Sequence, residues 1–541
     1  MASLRTRQDK RIPFPAWFPQ AAPEFRQDGE MKGRSIADHS MFRRRSIDAL
    51  VENAQKAGGL RRVLKPFDLV MLGIGGIIGT GIFVLSGVAA GLHAGNALPL
   101  SFIVAGIVCL FAALCYAEFS TMIPVAGSAY TYCYTALGEI WAWIIGWDLI
   151  LEYGLAVSAV AIGWSGYFAA LLRSAGVLLP VQFSHPPGVE GGIVNLPAVL
   201  VVLALTVLLI QGTKRSAGMN AVIVTIKLAV ILLFIVLSIS FVEPGNWVPF
   251  MPPAGWFGVF SGAAIVFFAF IGFDAVVTAA EEIENPQKNL PIGLIGSLAV
   301  CIVLYVAIGI ILTGVVPFAE LAGPDAINAP IAYALGKIGI TWGAAVLSIG
   351  AICGMTSVML VMLFGQSRIF FAMSRDGLLP AFFSELYPGT HTPAKVIVFI
   401  GAVTACIAGF FPLETVAELV NMGTLVAFSI VAFGVMLLRV RLPELKRPFR
   451  CPYVPALPLI CIGACAFLVI HLNHLAHLMF VIWLCIGLAV YFLYGIRNST
   501  NRKALESGES GSARPRTVPG TVAAGIAEIA MHPVSGPDAE K

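Results

Sequence analysis

Residues 73–83 read GIGGIIGTGIF, and five glycines fall between Gly73 and Gly81 in the middle of an apolar run. Each glycine costs on the order of 1 kcal/mol of helix stability relative to alanine. The cluster therefore predicts a point at which a helix either unwinds or is approached closely by another segment. Alone it fits a helix-packing face equally well, because small residues also let membrane helices approach each other. A nucleotide-binding loop is excluded, since no strand precedes the glycines and no Lys-Ser/Thr pair follows.

The chain around this cluster is far more apolar than a soluble protein. Apolar residues make up 58% of its 541 residues and charged residues 12%, whereas soluble domains carry about 25% charged residues. A helix needs about 20 apolar residues to cross a bilayer. Runs of that kind predict an all-α membrane protein with twelve transmembrane helices. The predicted spans are 68–92, 99–122, 138–172, 195–213, 217–242, 257–281, 290–318, 338–373, 395–413, 416–438, 453–472 and 476–496.

The basic residues predict the orientation of these spans. Nearly all of the 34 Lys and Arg residues lie in the two tails or in alternate connections, apart from Arg173, Lys337 and the intramembrane Lys227. Cytoplasmic connections carry such an excess of Lys and Arg. Both termini are therefore predicted to be cytoplasmic, with loops 174–194 and 319–337 outside. The expected location is the plasma membrane, which is the inner membrane in a bacterium.

The spans divide the chain into a transporter domain and two tails. We expect residues 1–66 to form a basic cytoplasmic tail without ordered structure, either solvated or lying on anionic lipid. Residues 497–541 are polar, rich in Gly and Ser, and predicted to be a disordered cytoplasmic tail. The domain between them, 67–496, is predicted to consist of repeats 67–242 and 257–438 and extra helices at 453–496.

The sixth predicted span carries a second break. Residues 267–274 read FFAFIGFD, which places a glycine and a carboxylate deep in the membrane. The first and sixth spans are five apart, as in an inverted repeat of five helices. In such folds the broken helices meet near the midplane, where helix N-termini bind an anionic group and unwound carbonyls bind a cation. A zwitterionic amino acid matches both demands, so the paired breaks favour an unwound, substrate-binding helix.

Four segments give the chain a specific family resemblance. Together with the glycine segment 73–83, residues 115–132, 267–294 and 364–380 resemble the amino acid–polyamine–organocation (APC) superfamily, and within it the bacterial branch of the cationic amino acid transporter family. The resemblance runs from about residue 60 to about residue 496. It implies a LeuT-type 5+5 inverted repeat followed by two C-terminal helices, and transport coupled to protons.

The resemblance also implies a set of substrate contacts. The substrate carboxylate is expected to meet backbone N–H groups, its ammonium to meet backbone carbonyls, and Phe268 to cover the bound substrate as an aromatic lid. The alternative, that Phe268 only packs against its neighbours or faces lipid, stays open. The residues implied are Gly79, Thr80 and Gly81 for the carboxylate, and Ile77, Phe268, Ala269 and Ile271 for the ammonium.

Lys227 is the candidate for proton coupling. It lies ten residues into the fifth span, and a lysine inside a membrane is costly enough to be a functional candidate by default. The resemblance places it where sodium-coupled relatives hold a cation. We expect its ammonium near the unwound carbonyls around Ile74 and the hydroxyls of Thr356 or Ser357.

Several carboxylates are candidates for the pathway or its gates. Asp274 follows the second break, and Asp148 and Glu152 lie four apart on one face of the third span. They could line the cytoplasmic pathway, relay protons or pair with neighbouring polar groups. Glu118 ends the second span in a family motif, as Glu281, Glu282 and Glu284 end the sixth; simple solvation is the alternative for these four.

Met362 is the candidate for substrate selection. The resemblance places it where the family's cationic-substrate members carry a smaller residue, so its thioether is expected to shorten the pocket. We therefore predict a preference for small neutral amino acids over arginine.

The predicted function is secondary active transport of amino acids, by proton symport with alternating access. An exchanger or uniporter of the same fold stays open. A receptor or scaffold would need a folded output domain, and an enzyme would need a constellation such as HExxH; neither is recognisable. The expected partners are an amino acid, protons and the lipid bilayer, with no cofactor, metal or nucleic acid. His471, His474 and His477 are read as an interfacial loop rather than a metal site.

Overall fold

The computed structural model describes residues 63–122, 128–211, 217–278, 280, 283–385, 393–500 and 502. These residues are helical apart from connecting loops and one parallel β-bridge between Leu64 and Ile283. The predicted all-α class is therefore confirmed for the described part of the chain. The expectations for residues 1–62 and 503–541, and for Glu281 and Glu282, fall outside it.

Sixteen helices are named here in chain order. The first eight are α1 (Pro66–Ile77), α2 (81–94, built from Gly81–Leu85, Ser86–Val88 and Ala89–Ala94), α3 (Leu98–Met122), α4 (Ser128–Ala136), α5 (Glu139–Ser174), α6 (Leu196–Ile210), α7 (Ala217–Ser238) and α8 (Gly255–Val266). The others are α9 (Ala275–Thr278), α10 (Pro286–Val315), α11 (Pro330–Lys337), α12 (Thr341–Arg375), α13 (Ala394–Phe410), α14 (Leu413–Arg441), α15 (Ala456–Ile470) and α16 (His474–Val490).

Length and composition make this a multi-pass membrane protein. Seven helical stretches of the described residues are long and apolar enough to cross a membrane, and five shorter apolar helices accompany them. Helices α4 and α11 lie between predicted spans and were not expected, whereas the other helices follow the predicted spans to within a few residues. Two predicted spans are interrupted in the structure. The run 68–92 is divided into α1 and α2, and the run 257–281 into α8 and α9.

The helices pack in two groups. In the first, α10 packs along α1 and α3, and α8 also lies against α3. In the second, α5 and α12 form the most extensive helix pair, while α6 packs on α13 and α5. Helix α14 contacts α5 and α15, and α7 contacts both α1 and α12. The two broken helices belong to the first group, and α5 and α12 face them from the second.

A tryptophan ladder fixes the last helix, α16, to α5. The rings of Trp147 and Trp483 stack with centroids 4.5 Å apart. The Trp147 indole N–H donates to the Trp483 carbonyl at 2.9 Å, and the Trp483 indole N–H donates back to the Trp147 carbonyl at 3.3 Å. Trp143 donates in the same way to the Gly487 carbonyl. These reciprocal bonds satisfy the indole donors inside an apolar contact, as buried tryptophans require.

Candidate functional site

The first break separates α1 from α2. Helix α1 ends at Ile77, Ile78 is extended (φ −73°, ψ 104°), and the helix resumes after Thr80. An interrupted helix leaves carbonyls without partners at the end of its first half and N–H groups without partners at the start of its second half. The predicted unwinding within the glycine cluster is confirmed, and it is centred on Ile78 and Gly79.

The second break lies between α8 and α9. A 3-10 turn, Phe267–Phe270, closes α8, Ile271 is extended, and Gly272 has a φ of +107°. That backbone conformation is one that residues other than glycine rarely adopt. A β-carbon on Gly272 would also lie 2.6 Å from the Gly76 carbonyl oxygen. The two breaks are therefore in direct backbone contact.

A cavity opens between the breaks and the facing helices α5 and α12. Its empty volume is about 290 Å³, open space at its mouth included. Seven of the eight predicted substrate contacts line it, whereas Ala269 does not. The lining residues are Gly76, Ile77, Gly79, Thr80, Gly81, Ala156, Val160, Phe268, Ile271, Val358 and Met362.

The lining divides into a polar edge and apolar walls. The polar edge is the unwound backbone itself, together with the Thr80 hydroxyl, which lies 3.2 Å from the Met355 thioether. The walls come from Ala156 and Val160 on α5 and from Val358 and Met362 on α12. Among the described residues, no charged side chain lines the cavity. Backbone dipoles at one edge and aliphatic walls at the other suit a small zwitterion with an apolar side chain.

Tyr305 on α10 joins the two breaks, and sequence reasoning missed it. Its fully buried hydroxyl donates to the Ala269 carbonyl at 3.0 Å and lies 3.3 Å from the Ile77 carbonyl oxygen. A hydroxyl has one proton to donate, and the shorter distance favours the Ala269 carbonyl as its acceptor. Two carbonyls expected to face the substrate ammonium are thus within reach of a phenol. A lone tyrosine in an apolar span gave no signal for this contact.

Asn421 on α14 supports the second broken helix, and it was also missed. Its fully buried amide donates to the carbonyls of Ala264 and Ile265, at 2.7 and 3.2 Å. These carbonyls belong to the last turn of α8, where carbonyl groups have no N–H partner within the helix. An asparagine in the middle of an apolar span was a visible signal for a buried polar contact of this kind.

Lys227 binds the end of α1. Its ammonium donates to the Gly75 carbonyl at 2.8 Å and to the Ile78 carbonyl at 3.0 Å, and the side chain is fully buried. The predicted approach to the unwound carbonyls is confirmed, with Gly75 and Ile78 in place of Ile74. A cation is favourable at a helix C-terminus, where free carbonyls and the negative dipole end coincide. The expected Thr356 hydroxyl instead donates to the Ile352 carbonyl and accepts from Trp164.

Three predicted carboxylates gather between α5, α9 and α14. Asp148, Glu152 and Asp274 are all buried, and Glu152 interacts electrostatically with both aspartates. Both Asp148 carboxylate oxygens lack a hydrogen-bond partner among the described residues. Three neighbouring carboxyls removed from water cannot all hold a charge at low cost.

Glu118 is not solvated, contrary to the simpler expectation for it. It is fully buried at the end of α3, and its oxygens accept from Arg439 at 3.0 and 2.6 Å. The Cys451 N–H donates to it at 2.7 Å, and Arg447 lies 3.4 Å away. Arg439 is near the last turn of α14, so this bidentate pair ties α3 to α14. It lies apart from the cavity, whose lining includes none of these residues.

Comparisons with known proteins show the family of this chain. The profile of the amino acid permease family matches residues 64–504. A branched-chain amino acid permease of Bacillus subtilis is 50% identical over 85% of this chain and 98% of its own length. A methylthioribose transporter of the same organism is 48% identical over 86% of this chain and 100% of its own length. A vacuolar cationic amino acid transporter of Arabidopsis thaliana is 39% identical over 75% of this chain and 68% of its own.

Proposed function

This chain belongs to the amino acid permease family, and we propose that it carries neutral amino acids with aliphatic side chains through the cavity between its two broken helices. The observation that carries the proposal is the lining of that cavity, which combines unwound backbone with apolar walls and, in the described part of the chain, includes no charged side chain. A branched-chain amino acid permease among the similar proteins supports the same substrate class.

The substrate is proposed to lie across the two breaks. Its carboxylate meets the N–H groups of Gly79, Thr80 and Gly81, at the positive end of α2. Its ammonium meets carbonyls of the broken backbone around Ile77 and Phe268, where it shares acceptors with the Tyr305 phenol. Its side chain fills the space beside Val358 and Met362. Phe268 lies over the bound molecule, and Ala269 acts through its backbone.

Transport is proposed to be proton symport by alternating access. Lys227 in its charged form holds α1 through the Gly75 and Ile78 carbonyls. Loss of its proton removes the charge from these contacts and frees α1 to move. Asp274, Glu152 and Asp148 offer a path for the proton, and Glu118 gates the same face through Arg439. An exchanger of the same fold remains the alternative.

The architecture and location complete the proposal. Twelve transmembrane helices form a LeuT-type pair of five-helix repeats, 67–242 and 257–438, with two further helices at 453–496. Both termini face the cytoplasm, as the distribution of Lys and Arg favours, and the membrane is the bacterial inner membrane. We refer below to the face carrying Glu118 and Arg439 as inner, and to the opposite face as outer.

Uptake into proteoliposomes tests the substrate class. We expect leucine, isoleucine and valine to compete with radiolabelled leucine far better than arginine does, and methylthioribose to compete weakly. Dominant competition by methylthioribose would support the second candidate that the 48% identical transporter raises, a thiosugar as substrate. Dominant competition by arginine would contradict both. Leucine entry that requires internal leucine and ignores an imposed pH gradient would establish exchange.

A further inference from the structure

A glycine on α5 faces the turn that is proposed to bind the substrate carboxylate. Gly163 is buried, and a β-carbon on it would lie 2.6 and 2.7 Å from the Cγ2 and Oγ1 atoms of Thr80. Val160, three residues earlier on α5, lines the cavity. A glycine inside a helix costs about 1 kcal/mol relative to alanine, so its presence at this position calls for a packing reason. The side chain of Thr80 supplies that reason, because it fills the space that a side chain at position 163 would need.

The Thr80 side chain is held between α5 and α12. Its hydroxyl oxygen lies 3.4 Å from the Val160 carbonyl oxygen and 3.2 Å from the Met355 sulfur, and the residue is fully buried. A methyl group at position 163 would displace Thr80 from α5 and lengthen the first of these contacts. The position of Thr80 therefore depends on the absence of a side chain at Gly163.

A second contact attaches the next residues of α2 to the same face of α5. The buried Tyr167 hydroxyl donates to the Phe83 carbonyl at 2.7 Å, and the two rings meet edge to face with centroids 5.9 Å apart. Gly163 and Tyr167 are four residues apart, so they lie on one face of α5. The first turn of α2, from Thr80 to Phe83, is thus fixed to α5 at both of its ends.

The same turn is also held by the second break. A β-carbon on Gly81 would lie 2.2 Å from the Ala269 α-carbon, so the backbones of the two segments are already in contact. A side chain at position 163 would push against a turn that has no free space around Gly81. The strain would have to be relieved within the turn itself, which carries the N–H groups of Thr80 and Gly81.

We propose that Gly163 is a positioning residue for substrate binding, because it admits the Thr80 side chain and thereby keeps the N–H groups of Thr80 and Gly81 aimed at the substrate carboxylate. The proposal rests on the carboxylate site proposed above. A helix start binds an anionic group through N–H groups that point at it, so a small rotation of this turn weakens binding. Gly163 is not one of the residues that line the cavity, and its effect on the substrate acts through Thr80.

A double-mutant cycle with the KM of leucine uptake into proteoliposomes as its readout tests this role. Gly163→Ala should raise KM at least about tenfold, since one hydrogen bond to the charged carboxylate is lost. Thr80→Ala removes both Thr80 atoms that the new methyl would meet. In that background Gly163→Ala should raise KM by less than about twofold, because the two changes share one contact. An equal rise of KM in both backgrounds would overturn the proposal.

A matched control separates positioning from general damage to α5. A β-carbon on Gly166 would lie 2.5 Å from the Asn328 carbonyl oxygen, in the loop before α11 that is proposed to lie on the outer face. Gly166→Ala therefore introduces a similar overlap on the same helix away from Thr80. It should change KM by less than about twofold even if it lowers thermal stability. A rise of KM as large as that of Gly163→Ala would contradict the assigned role.

Leucinamide, which has no carboxylate, gives a second readout through its competition against labelled leucine. Gly163→Ala should weaken the binding of leucine and leave that of leucinamide nearly unchanged, since only the carboxylate contacts are lost. Equal weakening of both ligands would overturn the proposal. If another amino acid is the preferred substrate, that amino acid and its amide replace leucine and leucinamide, because every amino acid carries the carboxylate. An error in the proposed substrate class therefore leaves this test decisive.

Discussion

Gly81 and Ala269 lie in backbone contact, one at the start of α2 and the other in the turn that closes α8. A β-carbon on Gly81 would overlap the Ala269 α-carbon. The start of one broken helix therefore rests directly on the other. This contact brings the N–H groups of the first break and the carbonyls of the second to one cavity.

Replacement of Gly81 by alanine should disrupt this contact. The added methyl would overlap the Ala269 backbone. Overpacking of this kind lowers the free energy of unfolding by about 1–3 kcal/mol. Gly79→Ala is the matched control. A β-carbon on Gly79 would lie 3.7 Å from a Val358 methyl, which is an ordinary van der Waals contact. We expect a lower melting temperature for Gly81→Ala than for Gly79→Ala by fluorescence-detected size exclusion. Equal stability of the two variants would show that the breaks are not in such close contact.

Tyr305→Phe should weaken transport without preventing folding. The substitution removes the hydroxyl that bonds the Ala269 carbonyl and reaches the Ile77 carbonyl. A hydrogen bond of this kind contributes about 0.5–1.5 kcal/mol, so leucine uptake at low concentration should fall about 2- to 13-fold. Tyr333→Phe, which removes a hydroxyl from the short helix α11, should retain normal uptake. Unchanged uptake by Tyr305→Phe would mean that the breaks are positioned without the phenol.

Met362→Ser should widen the range of substrates. Loss of the thioether enlarges the apolar wall of the cavity, which should admit longer cationic side chains and weaken leucine binding about tenfold. The same change at Met359, which is buried on α12 but does not line the cavity, is the control. Competition by arginine against labelled leucine measures the effect. If arginine competes equally against both variants, Met362 does not select the substrate.

Glu118→Gln should destabilise the protein strongly. Loss of the carboxylate charge leaves Arg447, 7% exposed, without its anion, whereas Arg439, 27% exposed, can be hydrated, so we expect a cost of about 1–3 kcal/mol. Glu385→Gln breaks the pair with Lys395, whose two side chains are each 55% exposed, and should cost less than about 1 kcal/mol. Thermal stability of the two variants in detergent gives the comparison. A similar small loss for both would mean that Glu118 is accessible to water.

The sequence was informative about helices and breaks because both depend on local composition. Apolar runs predicted the helix boundaries to within a few residues, and the glycines of residues 73–81 predicted the unwinding at Ile78 and Gly79. Lys227 was identifiable because a lysine within an apolar span demands a partner. Its acceptors were displaced from Ile74 to Gly75 and Ile78, since the exact residue at which a helix ends depends on tertiary contacts.

Contacts between distant segments were not predictable in the same way. Tyr305 and Asn421 donate to backbone carbonyls of other helices. Every residue carries such a carbonyl, so the sequence does not indicate which one is the acceptor. Glu118 finds Arg439 more than three hundred residues away, so its burial could not be distinguished from solvation.

Lys227 is proposed to tie proton movement to the release of α1, and uptake driven by pH alone tests this role most directly. Proteoliposomes containing either the unsubstituted protein or Lys227→Ala are given an acidic exterior, and labelled leucine is followed with pH as the only driving force. The unsubstituted protein should concentrate leucine against its gradient. Lys227→Ala should fail to do so while still exchanging external for internal leucine, because the substrate contacts come from the two breaks. Accumulation by Lys227→Ala equal to that of the unsubstituted protein would contradict the account.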